Sequence, residues 1–245
     1  MSHEPVLRCE IIKKKFDQQR AFKAQTLLSR KVILKDDFQA IQVVAGTDLS
    51  YLRIQGKELG IAILVFLRYP SLKPWGCIYG VSEVCVPYIP GLLAFREMPP
   101  FAVALAMAKR EGMNYDLLFV DGHGRAHPRR LGIASHIGVV TGQPSIGVAK
   151  RKLVGIEKDN MVIHNNEIIA KVLTRGKYKV YVSVGHRISL ETAAKVVSKV
   201  WRKGRLPEPT RIADRISKHI KPMIMEMAGE TEYLSGRCSS FLPTI

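Results

Sequence analysis

The sequence is poor in the features that would staple, anchor or ligate it. Its four cysteines, Cys9, Cys77, Cys85 and Cys238, lie far apart and include no CxxC pair. That spacing excludes a zinc ribbon, argues against a disulfide scaffold and fits a reducing compartment. The longest apolar run, Gly60 to Leu67, is far too short to span a bilayer, and Met1 to Phe16 holds no apolar stretch of signal-peptide length. The expectation is a cytoplasmic protein with no membrane partner. No GxxxxGK[ST] or GxSxG occurs, which removes the P-loop and the serine-hydrolase elbow. His123 and His127 are spaced as in HExxH, but Gly124 lies between them, Pro128 follows and no Glu adjoins, so zinc-protease chemistry is excluded. The stretch from Asp121 approaches GxGxxG, yet His127 replaces the third glycine, which close helix packing requires. Repeats, low-complexity blocks and clear linkers are absent. One domain over 1–245 is expected, with a core of about 40–222 and an irregular tail over 223–245, loose from Ala228.

What the sequence does have is positive charge: 38 Lys and Arg against 21 Asp and Glu, a net +17. Such an excess points to a polyanion, nucleic acid before an acidic membrane face. Uniformly solvated lysines are the competing explanation. With 47% hydrophobic residues the chain has ample material for a core.

Apolar residues at helical spacing over 6–33 predict one or two basic surface helices. From Ile41 the texture turns to strands: "IQVVAGTDLSYL", "LGIAILVFLRY" and "GCIYGVSEVCV" are short β-branched runs, close enough for an antiparallel meander. The proline-rich "VPYIPGLLAFREMPP" leads into the helix "FAVALAMAKR". "YDLLFVD" reads as a buried strand, "LGIASHIGVVTG" as a helix, and "PSIGVAK" and "KVYVSVGHRISL" as strands. Ser189 is placed to cap the amphipathic "LETAAKVVSKV", and Pro209 sits in the first turn of a last helix. Strands and helices in this order describe an α/β fold: a mixed sheet, its first three strands antiparallel and later ones parallel, covered by helices.

The chemistry is in the carboxylates. Asp48 and Asp121 each stand at the far end of an apolar strand. If those strands are parallel neighbours, both acids emerge at one edge of the sheet. Two carboxylates so close repel unless cations lie between them, and oxygen ligands suit Mg²⁺ or Mn²⁺. Such ions activate water and stabilise charge on a phosphodiester. Glu97 offers a third acid. Taken singly, each acid is equally well a cap or turn residue. Lys150 ends a strand and is either a phosphate contact or one more solvated lysine. His186 either touches nucleic acid or closes a turn. In "PYIPG", Pro87 and Pro90 stiffen Tyr88 and Ile89 into an extended loop ending at Gly91. A stiff loop with an aromatic tip is a wedge between stacked bases, or Tyr88 packs into the core.

Six stretches together, "AGTDLSY", "PYIPGLLAFRE", "LFVDGHGRAHPRRLGIASHIGV", "PSIGVAKRKL", "VSVGHRIS" and "RLPEPTRIAD", resemble the endonuclease V family, the deoxyinosine-directed nucleases of DNA repair. The resemblance covers roughly 40–220 and implies an RNase H-like fold whose first and fourth strands are adjacent and parallel. It implies that Asp48 and Asp121 ligate Mg²⁺, that Glu97 completes the acidic site, and that Lys150 lies near the scissile phosphate. Tyr88 then fills the gap left by a flipped hypoxanthine base. The implied reaction cuts the second phosphodiester bond 3′ to the lesion and leaves a 3′-hydroxyl and a 5′-phosphate. Gly122 and Gly124 would let backbone approach the flipped nucleotide, His127 would help line its pocket, and Arg125, Arg129 and Arg130 would meet phosphates. Thr47 and Leu49 depart from the family pattern in packing. Asp214 falls where the family varies, as an outer acid of the site or a helix-surface partner of Arg211. Two further readings are an enzyme acting mainly on inosine-containing RNA and a non-catalytic nucleic-acid-binding module on the same fold.

Overall fold

The computed structural model describes residues 4–227 and 234–243. Two helices come first, α1 (Glu4–Lys15) and α2 (Gln18–Ser29), the second capped by Asp17, whose carboxylate accepts from the Gln19 and Arg20 amides. Three long strands follow: β1 (Val43–Ile54), β2 (Lys57–Arg68) and β3 (Lys73–Glu83). They form the expected antiparallel meander. Next come α3 (Leu93–Arg110), β4 (Leu117–Asp121), α4 (Ile133–Thr141) and β5 (Ser145–Ala149). α3 starts well before the helix expected from Phe101. It contains Pro99 and Pro100, which supply no amide donor and hid its first turns from the sequence pattern.

The chain then makes a second meander, β6 (Ile156–Lys158), β7 (Met161–His164), β8 (Glu167–Arg175) and β9 (Tyr178–His186), of which the sequence pattern predicted only β9. Its turns carry their own signature. Asp159-Asn160 and Asn165-Asn166 all sit at positive φ, the backbone that two-residue hairpins demand and that Asn and Asp tolerate best. The helices α5 (Leu190–Val200), α6 (Glu208–His219) and α7 (Lys221–Met227) complete the layers. Ser189 caps α5 by accepting from the Thr192 amide, and Pro209 lies in the first turn of α6, both as expected.

With β10 (Leu234–Arg237), the ten strands of the described residues join one mixed sheet in the order β10-β3-β2-β1-β4-β5-β9-β8-β7-β6. Among the described residues parallel pairing is confined to β1–β4 and β4–β5; β9 returns antiparallel to β5. α3 and α4 cover one face through Phe101, Ala104 and Ile137. α5 and α6 cover the other through Val197, Ile212 and Ile216. Among the described residues no helix is long and apolar enough to cross a membrane.

Two expectations are corrected at the termini. Much of the stretch expected to be irregular is regular: α7 packs Ile224 into the core, and β10 adds an edge strand to β3. Residues 228–233, where a loose tail was expected to begin, lie outside the described residues. The cysteines, expected to be free, form two disulfides, Cys9–Cys85 and Cys77–Cys238. Sequence separations of 76 and 161 residues concealed partners whose Cα atoms are 4.9 Å apart in both bonds. The cysteines therefore no longer argue for a reducing compartment. Bridges closing loops this long restrict the unfolded chain strongly. Cys77→Ala is expected to lower unfolding free energy by about 2–5 kcal/mol. Urea denaturation with and without reductant measures this, and an unchanged midpoint would remove the bridge as a stabilising element.

Candidate active site

The parallel register of β1 and β4 runs from Val44↔Leu117 to Thr47↔Val120, so Asp48 and Asp121 occupy the next position on neighbouring strands. β4 ends there, but β1 continues to Ile54, which puts Asp48 in mid-strand rather than at the expected far end. The third acid comes from α6. A Cβ at Gly46 would lie 2.1 Å from the Pro209 carbonyl oxygen, so a glycine here lets the first turn of α6 rest directly on β1. That seating carries Asp214 to the strand acids: one oxygen from each of Asp48, Asp121 and Asp214 lies within 4.8 Å of the other two.

Counter-charge is sparse. Lys150 Nζ is 2.5 Å from Asp121 and 3.6 Å from Asp214. The Ser217 hydroxyl donates to Asp48, and Lys218 pairs with Asp214 at 2.6 Å. Arg211, one expected partner of Asp214, instead pairs with Glu208 one turn back, so Asp214 remains turned to the acids. Burial, reinforced by the neighbouring Asp121 and Asp214 charges, pushes Asp48 up to about 6 despite the Ser217 hydrogen bond. Burial likewise raises Asp121, against the pull of Lys150. Lys150 is itself held above its usual range, since its pair with Asp121 outweighs the burial that opposes its charge.

Glu97 reaches this region from α3, on the other face of the sheet. It is buried and accepts a 3.3 Å hydrogen bond from the Tyr51 hydroxyl. Burial, with the charges of Asp48 and Asp121, pushes its carboxyl up to about 8. The tight three-acid cluster thus contains Asp214 where the sequence reading placed Glu97. The signal was present, an aspartate one turn before Ser217 on an amphipathic helix, but only the Gly46 contact reveals where that helix sits.

A separate cavity of about 210 Å³ is lined by Tyr88, Ile89, Pro90 and Gly91 on one side and by Gly122, His123, His127 and Ile133 on the other. Tyr88 is 69% exposed, so it does not pack into the core. A second cleft of about 390 Å³ contains Asp121, Lys150, Arg151 and Arg205, and it too is lined by Gly122 and His123. The cleft of Asp121 and Lys150 and the pocket under Tyr88 therefore meet at Gly122-His123. Pro87 opens the Tyr88 loop, whose start is held where Arg96 donates to the Val86 carbonyl at 2.6 Å.

Other expected contacts are redirected. Arg125 and Arg130 both pair with Glu167 at the start of β8, and Arg130 also donates to the His164 carbonyl. Arg129 is bound to Gln25 and Gly91. All three guanidinium groups are thus engaged within the protein, because the unread β7–β8 hairpin and α2 supply their partners. Gly124 donates to the Ser183 hydroxyl, and a Cβ there would lie 2.0 Å from the Val184 carbonyl oxygen. Its missing side chain serves loop-to-strand packing. His186 is buried and its Nδ1 accepts from the Ile33 amide, so of its two readings the structure supports the turn-closing one.

The raised carboxyls set a pH dependence. A group whose pKa rises on folding stabilises the fold while protonated. For Glu97 that contribution is full below its ordinary 4.5 and lost as pH climbs through about 8. Burial holds His127 and His136 down near 4. Their contribution is present above 6.5 and lost as pH falls toward 4. Between pH 6.5 and 8 in chelator, the wild type is expected to lose on the order of 1 kcal/mol of stability, and Glu97→Gln much less. Paired urea melts at the two pH values measure both; equal slopes would contradict the assignment.

The sequence profile of the Endonuclease V family matches residues 26–215. Endonuclease V of Ignicoccus hospitalis is 46% identical over 211 residues, spanning 84% of this chain and 96% of the relative. That of Aeropyrum pernix is 47% identical over 214 residues, spanning 85% and 82%. Among solved structures, Streptomyces avermitilis Endonuclease V aligns with a TM-score of 0.76 at 33% identity, covering 84% of this chain and 94% of that one. Ciona intestinalis Endonuclease V, in complex with a 24-mer DNA containing an inosine followed by a ribo-adenosine, aligns with a TM-score of 0.75 at 32% identity, covering 84% and 98%. With sequence, fold and acidic cluster in agreement, the chain belongs to the Endonuclease V family of nucleases.

Proposed function

We propose that this protein is a divalent-metal-dependent DNA-repair endonuclease that takes a deaminated adenine, inosine, out of the duplex and hydrolyses the second phosphodiester bond 3′ to it. The observation that carries this reading is the junction at Gly122-His123, where the pocket under Tyr88 adjoins the cleft that holds Asp121, a member of the three-acid cluster. A nuclease reading a flipped base needs a base-sized cavity and a phosphate-cleaving centre on one continuous surface.

The residues fit a hard cation. Asp48, Asp121 and Asp214 offer oxygen donors only, and the pKa values of Asp48 and Asp121 are pushed up by burial, reinforced by the neighbouring acids. Mg²⁺ is the natural occupant and Mn²⁺ an alternative. When bound there, the metal lowers the pKa of water and offsets charge growing on the phosphate. Lys150 supplies a second positive charge beside Asp121 and is placed to balance the pentavalent phosphate. Glu97, exchanging its proton near neutral pH, suits proton transfer at the site's edge. Water adds to phosphorus and the bond to the 3′-oxygen breaks, leaving a 3′-hydroxyl and a 5′-phosphate. Tyr88, exposed at the tip of a loop with proline on both flanks, fills the space the base vacates. Gly122 presents backbone to the edge of hypoxanthine, His127 and Gly91 form the wall of its pocket, and the cytoplasm is the proposed place of action.

A second reading makes inosine-containing RNA the main substrate; the ribo-adenosine in the DNA bound to the Ciona relative motivates it. Both are tested with matched DNA and RNA oligonucleotides bearing one inosine, in Mg²⁺ or EDTA, beside Asp121→Ala. Metal-dependent cuts one nucleotide beyond the inosine are expected, falling about a thousandfold or more in the variant. The DNA-to-RNA rate ratio assigns the substrate. Tight binding of both strands without any cleavage would overturn the enzyme and leave a binding module.

A further inference from the structure

The end of the Tyr88 loop is held by an unusual concentration of donors. The Gly91 carbonyl oxygen accepts from Gln25 Nε2 at 2.9 Å and from Arg129 Nη2 at 2.9 Å, with His127 Nε2 at 3.1 Å. The His127 tautomer follows from its surroundings. The Arg129 amide donates to Nδ1 at 3.2 Å, so the ring proton lies on Nε2 and points at Gly91. Gly91 itself is at φ +79, a conformation in which glycine is at ease.

Gln25 is the hub of this node. It is 1% exposed, sits on α2, and donates from one amide nitrogen to Gly91 and, at 3.3 Å, to the Leu131 carbonyl. Its oxygen accepts from Arg129 Nε at 2.6 Å, and the Arg129 guanidinium lies 4.0 Å over the ring of Phe22, one turn earlier on α2. A single side chain therefore ties together the Tyr88 loop, which carries Tyr88 and Ile89, and the Asp121–Leu131 loop, which supplies Gly122, His123 and His127. These are the two walls of the pocket. With every Gly91 acceptor site occupied, the carbonyl acts as an anchor.

We infer that Gln25 is the positioning residue that fixes the distance between the Tyr88 loop and the pocket floor, and so sets how tightly an inosine strand is held. This rests on the proposed role of the pocket. Gln25 touches neither the acids nor the bond to be broken, so its effect falls on substrate capture rather than on the chemical step.

The test compares wild type with Gln25→Leu, which removes donor and acceptor at similar volume, and Gln25→Glu, which keeps the acceptor for Arg129 but sets a carboxylate against the Gly91 carbonyl. The readouts are steady-state nicking of an inosine duplex, Mg²⁺ half-saturation, and fluorescence of 2-aminopurine placed beside the inosine, which reports unstacking. Both variants are expected to raise KM about tenfold or more, with kcat within about twofold. Mg²⁺ half-saturation stays unchanged and the fluorescence rise on binding shrinks. Gln25→Glu keeps the test valid if the leucine variant does not fold. A wild-type KM and fluorescence response in a folded variant overturns the inference, as does a loss confined to kcat. If the wild type itself does not cut inosine strands, the proposed function fails instead, and the two failures are thereby distinct.

Discussion

Everything at this site depends on an electrostatic debt accepted by the fold. Parallel pairing of β1 with β4 puts two carboxylates side by side, and the seating of α6 on Gly46 adds a third. Neither desolvation nor mutual repulsion favours three charged acids in a half-buried cluster, even beside Lys150 and Lys218. A fold selected for stability alone would place apolar side chains there. The surrounding β2, β3 and α3 packing, fully buried from Ile61 to Leu67, supplies the surplus that holds such a cluster in place.

The Tyr88 loop shows the complementary strategy, in which satisfaction of polar groups confers rigidity. Its entry is anchored by Arg96 on the Val86 carbonyl, with the same guanidinium paired to Glu58 at 2.9 Å. Its exit is anchored by the donors on Gly91. Between these points the loop places an exposed aromatic over a small cavity, with the conformational cost already met before any strand arrives. The basic loop that follows Asp121 is built likewise: Glu167 engages Arg125 and Arg130. The net charge of the chain therefore overstates what is free to meet a phosphate.

Much of this was legible in the sequence where local patterns decide structure. The first meander, the cap at Ser189, the proline opening α6 and the two strand aspartates all follow from alternation, capping and turn chemistry. What was missed depends on distant contacts. Asp214 stayed open between an outer acid of the site and a helix-surface residue because nothing in its own helix reports that Gly46 will accept that helix. The packing of Gly124 on Val184 was hidden because the two are far apart in sequence. Cys9 and Cys85 offered no spacing rule. The second meander is different: its Asp-Asn and Asn-Asn turns were readable, and the polar, charged strands between them masked the alternation.

The two disulfides interlock along the chain, one closing residues 9 to 85 and the other 77 to 238. Their loops overlap between Cys77 and Cys85, beside the start of the Tyr88 loop. Whichever peptide bond between Cys9 and Cys238 is hydrolysed, the two fragments remain joined by at least one bridge. A single proteolytic nick therefore yields no departing piece, and the cleaved ends stay at the local concentration from which the fold can hold its shape.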